Sequence, residues 1–157
     1  MQLTSTAFQP GGSIPKQFTC EGIDMSPELT WQGAPSGTKT FALIVHDPDA
    51  PIAGGFYHWG VYNLPATTNR IPENAPKQSE LPGGGRQGRN DVGKVGYVGP
   101  CPPSGNHRYL FRLFALDTEL KLKTDASAKD VEKAVQGHIL GQAELMGRYQ
   151  KSSKTAA

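Results

Sequence analysis

The chain is poor in charge, holds almost no cysteine and lacks any long apolar run. Charged residues make up 19% of its 157 residues and the formal net charge is +2. Such a balance predicts no basic face broad enough for nucleic acid, and none of the standard nucleic-acid motifs appears. No stretch approaches the ~18 apolar residues of a membrane helix. Met1 to Pro10 carries neither a basic nor an apolar leader segment, so the chain reads as a cytoplasmic protein without a membrane span. The two cysteines, Cys20 and Cys101, form no CxxC and no zinc spacing. They read as reduced thiols, with a single disulfide as the alternative because both lie beside loops that could meet. There is no internal repeat and no Gly-x-Ser-x-Gly. The Gly83-Gly84-Gly85 run with Arg86, Arg89 and Lys94 lacks the Gly-Lys-Ser/Thr ending of a phosphate loop, so it reads as a solvated loop.

What the chain does have is glycine and proline. With 19 Gly and 13 Pro, it stands at roughly 12% and 8%, against usual values of about 7% and 5%. This favours a β-rich, loop-rich domain. The length suits one domain over residues 1–150, burying ~70% of its unfolded surface, with a flexible polar tail over 151–157. Apolar, β-branched or alternating runs predict strands at 40–46, 58–64 and 109–116, with weaker ones at 28–32 and 2–8. In the 58–64 run, alternation puts Trp59, Val61 and Asn63 on one face and His58, Gly60, Tyr62 and Leu64 on the other. Residues 66–95 are too long for a structureless loop in a compact domain, so they are functional or hide structure. A helical spacing of Val131, Val135, His138, Ile139, Leu145 and Met146 predicts helix over about 127–149, capped by Ser127 and Asp130. His138 then packs against the core. Strands first and a helix late predict a mostly β, α+β fold of two antiparallel sheets with a peripheral helix.

Two segments carry the chemistry. Asp47-Pro48-Asp49-Ala50-Pro51 follows the first strong strand. Gly99-Pro100-Cys101-Pro102-Pro103-Ser104-Gly105-Asn106-His107-Arg108-Tyr109 leads into the last. Proline stiffens both, and rigid loops at strand ends are where binding groups are often placed. At strand period Asp47 and Asp49 point the same way, about 6–7 Å apart, and repel unless donors or a shared proton intervene. His107 and Tyr109 share a face, so an imidazole and a phenol reach one pocket suited to a phosphate, a carboxylate or a polar headgroup. His46 faces away from Asp47 and reads as a buried, hydrogen-bonded residue. His58, taken alone, reads as structural. An Asp/Asp/His/His metal site has the right ligand types but no spacing signature, so no metal or cofactor is predicted.

The DPDAP run, Tyr57-His58-Trp59 and the 99–109 segment together resemble the phosphatidylethanolamine-binding protein family, called Raf kinase inhibitor proteins in animals. Ser26-Pro27-Glu28-Leu29-Thr30-Trp31 resembles the family's entry strand. Gly88-Arg89-Asn90-Asp91-Val92-Gly93 and His138-Ile139-Leu140-Gly141 resemble its bacterial and archaeal branch. The resemblance spans about residues 20–147. It implies an antiparallel Greek-key β-sandwich with peripheral helices and a small anion pocket at one end. By residue matching it places Asp47, Asp49, His58 and His107 in that pocket, with Pro103 and Tyr109 in its wall. Cys101 puts a thiol in the pocket loop, which the animal pattern does not require.

These observations predict a binding module rather than an enzyme. A small anionic or phosphorylated ligand would sit between His58 and His107. Asp47 and Asp49 would orient the histidines or meet a ligand amine, and backbone near Cys101 would contribute donors. The family analogy adds a kinase or protease partner gated by the ligand, and a homodimer, to which Trp59 and Tyr62 are the candidate contributors. The competing reading is a small acid–base enzyme, a hydrolase or lyase, using the same two acids and two histidines.

Overall fold

The computed structural model describes residues 1–152. Of the tail predicted over 151–157, residues 153–157 lie outside them; the Ser152 N–H donates to Glu21 Oε1 at 3.0 Å. Among the described residues eight strands form two antiparallel sheets. The smaller has the order β1-β2-β5, from β1 (Gln2–Thr4), β2 (Leu29–Gln32) and β5 (Arg70–Ile71). The larger has the order β6-β4-β3-β7-β8. It is built from β3 (Thr40–Asp47), β4 (Phe56–Pro65), β6 (Arg86–Gln87), β7 (His107–Leu116) and β8 (Ile139–Tyr149).

The core lies between the sheets. Leu3, Leu29, Trp31 and Ile71 of the small sheet meet Phe41, Leu43, Val45, Phe111 and Leu113 of the large one. The predicted mostly β architecture is therefore the one observed. β3 reads as an unbroken apolar run because both of its faces are covered, which an alternating sequence could not satisfy. Ala42 and Ile44 face the other way, into a second cluster with Phe114, Leu116 and the helix α1 (Ala128–Val135) through Ala128, Val131 and Val135. The helix seats directly on β4: a Cβ at Gly60 would come within 2.6 Å of Ala128 Cα. Trp59 and Tyr62 do point to opposite faces of β4, but each is buried within this one chain, at 0% and 3% exposure. They offer nothing to a dimer contact.

The helix is shorter than predicted. It starts at the Ser127–Asp130 capping box, where each side chain accepts from the other's backbone N–H. It ends at Val135, and Gly137 takes φ +84°, which suits glycine and stops helical continuation. From Ile139 the chain is strand, paired with β7 over Leu116↔Ile139 to His107↔Tyr149. The apolar spacing that suggested a helix contains a period-2 set, with Leu145, Gly147 and Tyr149 buried. Gly141 and Gly147 are points of close approach in that strand: a Cβ at Gly147 would lie 2.6 Å from Ile14 Cγ1 and 2.7 Å from Phe8 Cε2. His138 consequently stands at the surface, 45% exposed and paired to Asp117 at 2.9 Å, instead of packing in the core.

The 66–95 stretch does hide structure. It holds β5 and β6, and buried Gln87 clamps it. Gln87 accepts from Trp59 Nε1 at 2.7 Å and donates to the carbonyls of Pro76 and Gln78 at 2.6 and 2.8 Å. Asn90 organises the next turn, accepting from the N–H groups of Val92 and Lys94 and donating to the Gly96 carbonyl.

Candidate functional site

The first wall of the site comes from the end of β3. There the chain leaves strand geometry, so the period-2 argument that paired Asp47 with Asp49 fails. Asp47 Oδ1 accepts from the Asp49 N–H at 2.8 Å, a short-range turn of the kind Asp-Pro favours. The carboxylate of Asp49 turns to Arg108, accepting from its N–H (2.9 Å), Nε (3.0 Å) and Nη2 (2.8 Å). The Arg108 hydrogen bonds hold the Asp49 carboxyl down at about 2. Asp49 is thus a strap between the DPDAP loop and β7, and it does not line the cavity. Each of the two acids has its own donors, the Asp49 N–H and the His107 ring for Asp47 and Arg108 for Asp49.

The second wall depends on an irregularity in β4. Val45 pairs with Trp59, but His46 pairs with Tyr57, so His58 is an extra residue in the ladder. Such a bulge re-aims a side chain. His58 joins the inward side, next to Trp59, instead of opposing it as strict alternation predicts. Its backbone and ring are both claimed by Val98: the His58 carbonyl accepts from the Val98 N–H at 3.0 Å, and Nδ1 lies 2.7 Å from the Val98 carbonyl oxygen. A carbonyl can only accept, so Nδ1 carries the hydrogen. Burial pushes the His58 pKa down, against the opposing pull of Asp47, Asp24 and Asp91. The ring is neutral at neutral pH, and Nε2 is left as a lone pair. His46, by contrast, stacks on Tyr57 at 4.4 Å and reaches the Gly54 carbonyl at 2.7 Å, hydrogen-bonded as predicted but only half-buried.

The third wall is the start of β7. His107 and Tyr109 share a face, as their spacing requires. His107 Nδ1 meets Asp47 Oδ2 at 2.6 Å with both side chains almost fully buried. Tyr109 lies edge-on to His58, ring centroids 5.2 Å apart, and stacks with His107 at 6.4 Å. Burial, and then the nearby Asp47 charge, push the Tyr109 pKa far up, so the phenol keeps its proton. Its buried hydroxyl has no hydrogen-bond partner of acceptable geometry among the described residues.

These walls enclose a cavity of about 300 Å³, into which Asp47, His58, Cys101, Pro103, His107 and Tyr109 all contribute. Sequence reasoning missed Phe56, Val92 and Val98, which also line it. Val92 is carried there by the Asn90 turn and by Asp91, whose carboxylate accepts from the Tyr57 N–H at 2.9 Å. A larger cleft of about 460 Å³ lies along residues 64–84. It has no histidine and no paired acid, so the chemistry points to the smaller cavity.

Cys101 corrects the thiol expectation. It is bonded to Cys20 in a disulfide with the Cα atoms 5.4 Å apart. The cause is direct contact between the two loops: the Cys20 N–H donates to the Pro100 carbonyl at 3.1 Å. Gly99 sits so tightly that a Cβ would come within 2.3 Å of the Phe18 oxygen. The Gly99 N–H is also spent on Asp24 Oδ1 at 2.7 Å. The cavity wall here is a sulfur bridge, with no thiolate to act as nucleophile.

Chemically the cavity joins mostly apolar walls to a carboxylate–imidazole pair, a neutral imidazole and a phenol. Among the described residues no group of three or more His, Cys, Asp or Glu is placed to hold a metal ion. No helix there is long and apolar enough to cross a membrane.

The likeness to known proteins covers nearly the whole chain. The family profile for phosphatidylethanolamine-binding protein matches residues 4–150. A UPF0098 protein of Methanothermobacter thermautotrophicus is 49% identical over 151 residues, covering 96% of this chain and 99% of that one. One from Aquifex aeolicus is 50% identical over 154 residues, covering 96% and 89%. Among solved structures, YbcL of E. coli, described as a member of the mammalian PEBP family, superposes with a TM-score of 0.90 at 38% identity, covering 96% and 98%. The phosphatidylethanolamine-binding protein homolog CT736 of Chlamydia trachomatis superposes with a TM-score of 0.86 at 40% identity, covering 96% and 97%. A fold shared along its full length and relatives near half identity lead to one conclusion: the chain belongs to the phosphatidylethanolamine-binding protein family.

Proposed function

We propose that the chain is a binding module for a small anionic group, such as a phosphate or a phosphoryl headgroup, held between His58 and His107. The observation that carries this reading is the pair of anchored imidazoles. Each Nδ1 is fixed by protein, to Val98 and to Asp47, so each ring presents only Nε2 to a ligand. The buried Tyr109 hydroxyl, set against Asp47, closes that side of the site. Apolar walls strengthen such bonds by excluding water. Pro103 and the bridged Cys101 serve as wall, and Asp49 with Arg108 as a strap at its edge. A ligand-gated contact with a kinase or protease, and pairing into a homodimer, extend this by family analogy alone. The disulfide weighs against the predicted cytoplasmic setting, because reducing cytosol keeps such pairs open outside hyperthermophiles.

A second reading is a small acid–base enzyme. It is favoured by the 2.6 Å Asp47–His107 bond, the geometry of a carboxylate-oriented general base. With Cys101 bridged, the cavity wall offers no activated nucleophile, so binding without turnover is the reading adopted.

Titration calorimetry with phosphate and phosphoethanolamine tests it. Saturable binding is expected, weakened by roughly 1.5–3 kcal/mol in His107→Ala through loss of a hydrogen bond involving a charged group. Unchanged affinity in that variant would refute the site. Steady hydrolysis of simple phosphate or carboxylic esters, abolished by His107→Ala, would favour the enzyme.

A further inference from the structure

The Cys20–Cys101 bridge is part of the cavity wall and also lies at the surface. Cys101, Pro102 and Pro103 line the cavity of about 300 Å³ on one side and a cleft of about 720 Å³ on the other. Cys20 lines that outer cleft as well. The partition between the two spaces is thus a single layer of chain. Both bridged residues are exposed, so a thiol in solution can reach the sulfur atoms.

The partition has few holds besides the bridge. The chain before it is well tied. The Val98 N–H donates to the His58 carbonyl at 3.0 Å, the Gly99 N–H donates to Asp24 Oδ1 at 2.7 Å, and the Pro100 carbonyl accepts from the Cys20 N–H at 3.1 Å. The chain after it is tied through His107 to Asp47 and through the Arg108 N–H to Asp49 at 2.9 Å. Between these anchors, residues 102–106 make no hydrogen bond among the described residues. Two of the five are prolines and have no N–H to give. Of the five, Pro102 alone is buried. Gly105, at φ +75° with nothing within 4 Å of where a Cβ would stand, meets open space.

We infer that the Cys20–Cys101 bridge is a redox latch on the cavity: closed, it holds Pro102 and Pro103 in the wall, and opened by a dithiol reductant it lets the 101–106 segment swing out and joins the cavity to the outer cleft. The exchange balances with such a partner. One thiolate of the dithiol attacks a bridge sulfur, forms a mixed disulfide and releases the other cysteine as a thiolate, which takes up a proton. The second thiol then closes the partner's own disulfide and releases the remaining cysteine. Two electrons and two protons pass from the dithiol to the chain. Exposed disulfides belong to the labile, regulatory class. The anchors up to Pro100 are hydrogen bonds that reduction leaves intact, so the change is confined to the wall. The latch concerns access to the cavity and does not rest on what the cavity binds.

His58 reports on the wall. It is 4% exposed, and its Nε2 carries the free lone pair that diethyl pyrocarbonate acylates. His46 and His138 stand nearer the surface and serve as internal controls. The intact, oxidised chain is first treated with dithiothreitol without denaturant. Iodoacetamide is then expected to label both cysteines, and oxidised glutathione to restore the bridge. Carbethoxylation read by peptide mass spectrometry is expected to be about tenfold faster at His58 in the reduced chain and in Cys20→Ser/Cys101→Ser, with His46 and His138 changed by less than about twofold, as local opening requires. Amide exchange at Leu43 and Leu113, both fully buried, is followed alongside and is expected to stay slow. An unchanged His58 rate, or a bridge that resists dithiothreitol until denaturant is added, overturns the latch. Loss of protection at Leu43 and Leu113 on reduction also overturns it, since the bond would then be a staple of the whole fold.

Discussion

Asp47 and His107 lie 60 positions apart in the chain and meet through a single 2.6 Å Oδ2···Nδ1 contact, with 4% and 10% of their side chains exposed. The contact joins the end of β3 to the start of β7, so it ties together the two loops that carry the site. Replacing Asp47 with Asn removes the charge and sets an amide against Nδ1. The fold is expected to lose about 1.5–3 kcal/mol, and affinity for phosphate is expected to fall with it. Urea unfolding and calorimetry of Asp47→Asn measure both, and a variant as stable as the wild type would show that the contact is dispensable.

Acid should destabilise the fold in two steps. The folded His58 pKa is depressed by burial, so the unfolded chain binds the proton more readily. Stability is then full above the unfolded value of about 6.5 and declines as pH falls below it. Asp49 is held at about 2, so its contribution is present above about 4 and is lost between about 4 and 2. That second step is small, because the Asp49–Arg108 pair is partly exposed. Urea midpoints measured from neutral pH downward should fall first near pH 6, and His58→Phe should flatten that upper limb. A midpoint that rises between pH 7 and 5 would contradict the first step.

The bridge between Cys20 and Cys101 closes a span of 81 residues. The chain-entropy account gives about 4.5 kcal/mol for such a loop at 25 °C. Reduction, or paired Cys→Ser replacement, is expected to lower the melting temperature while unfolding stays a single transition, the outcome that the predicted single domain over residues 1–150 would give. Unfolded but unreduced protein should resist alkylation at both cysteines. Rapid labelling of either would mean that the thiols are free.

Gly147→Ala tests the β8 assignment. The added methyl would enter the space held by Ile14 and Phe8, and overpacking of this kind costs typically about 1–3 kcal/mol. In a helix the same change would be stabilising, by roughly 0.8–1.0 kcal/mol. The sign of the change in thermal stability separates the two.

Much of this was legible in the residues. The apolar runs of β3 and β7 are long and unbroken, and the Ser127–Asp130 pair marks the helix start by local chemistry. The motifs at 47–51 and 99–109 sit where their flanking strands end, so Asp47, His107 and Tyr109 could be brought together on paper. The failures have local causes. In 139–149, glycines that read as interruptions of a helix are contact points in a strand. Asp49 left its expected face because Pro48 had already turned the chain. The sulfur bridge depended on two loops 81 residues apart touching, which no local pattern reports. The direction of His58 depended on pairing register, a property of two strands together.

That register has a consequence for any attempt to transplant or regularise the site. One surplus residue in β4 is what turns His58 inward, so the pocket is written in the backbone spacing as much as in side-chain identity. Deleting a single residue there would heal the ladder and make a more regular sheet. It would also carry the imidazole to the opposite face and release Val98 from both of its bonds. A designer who copied Asp47, His58, His107 and Tyr109 onto an evenly paired sheet would have the right four side chains and no cavity between them.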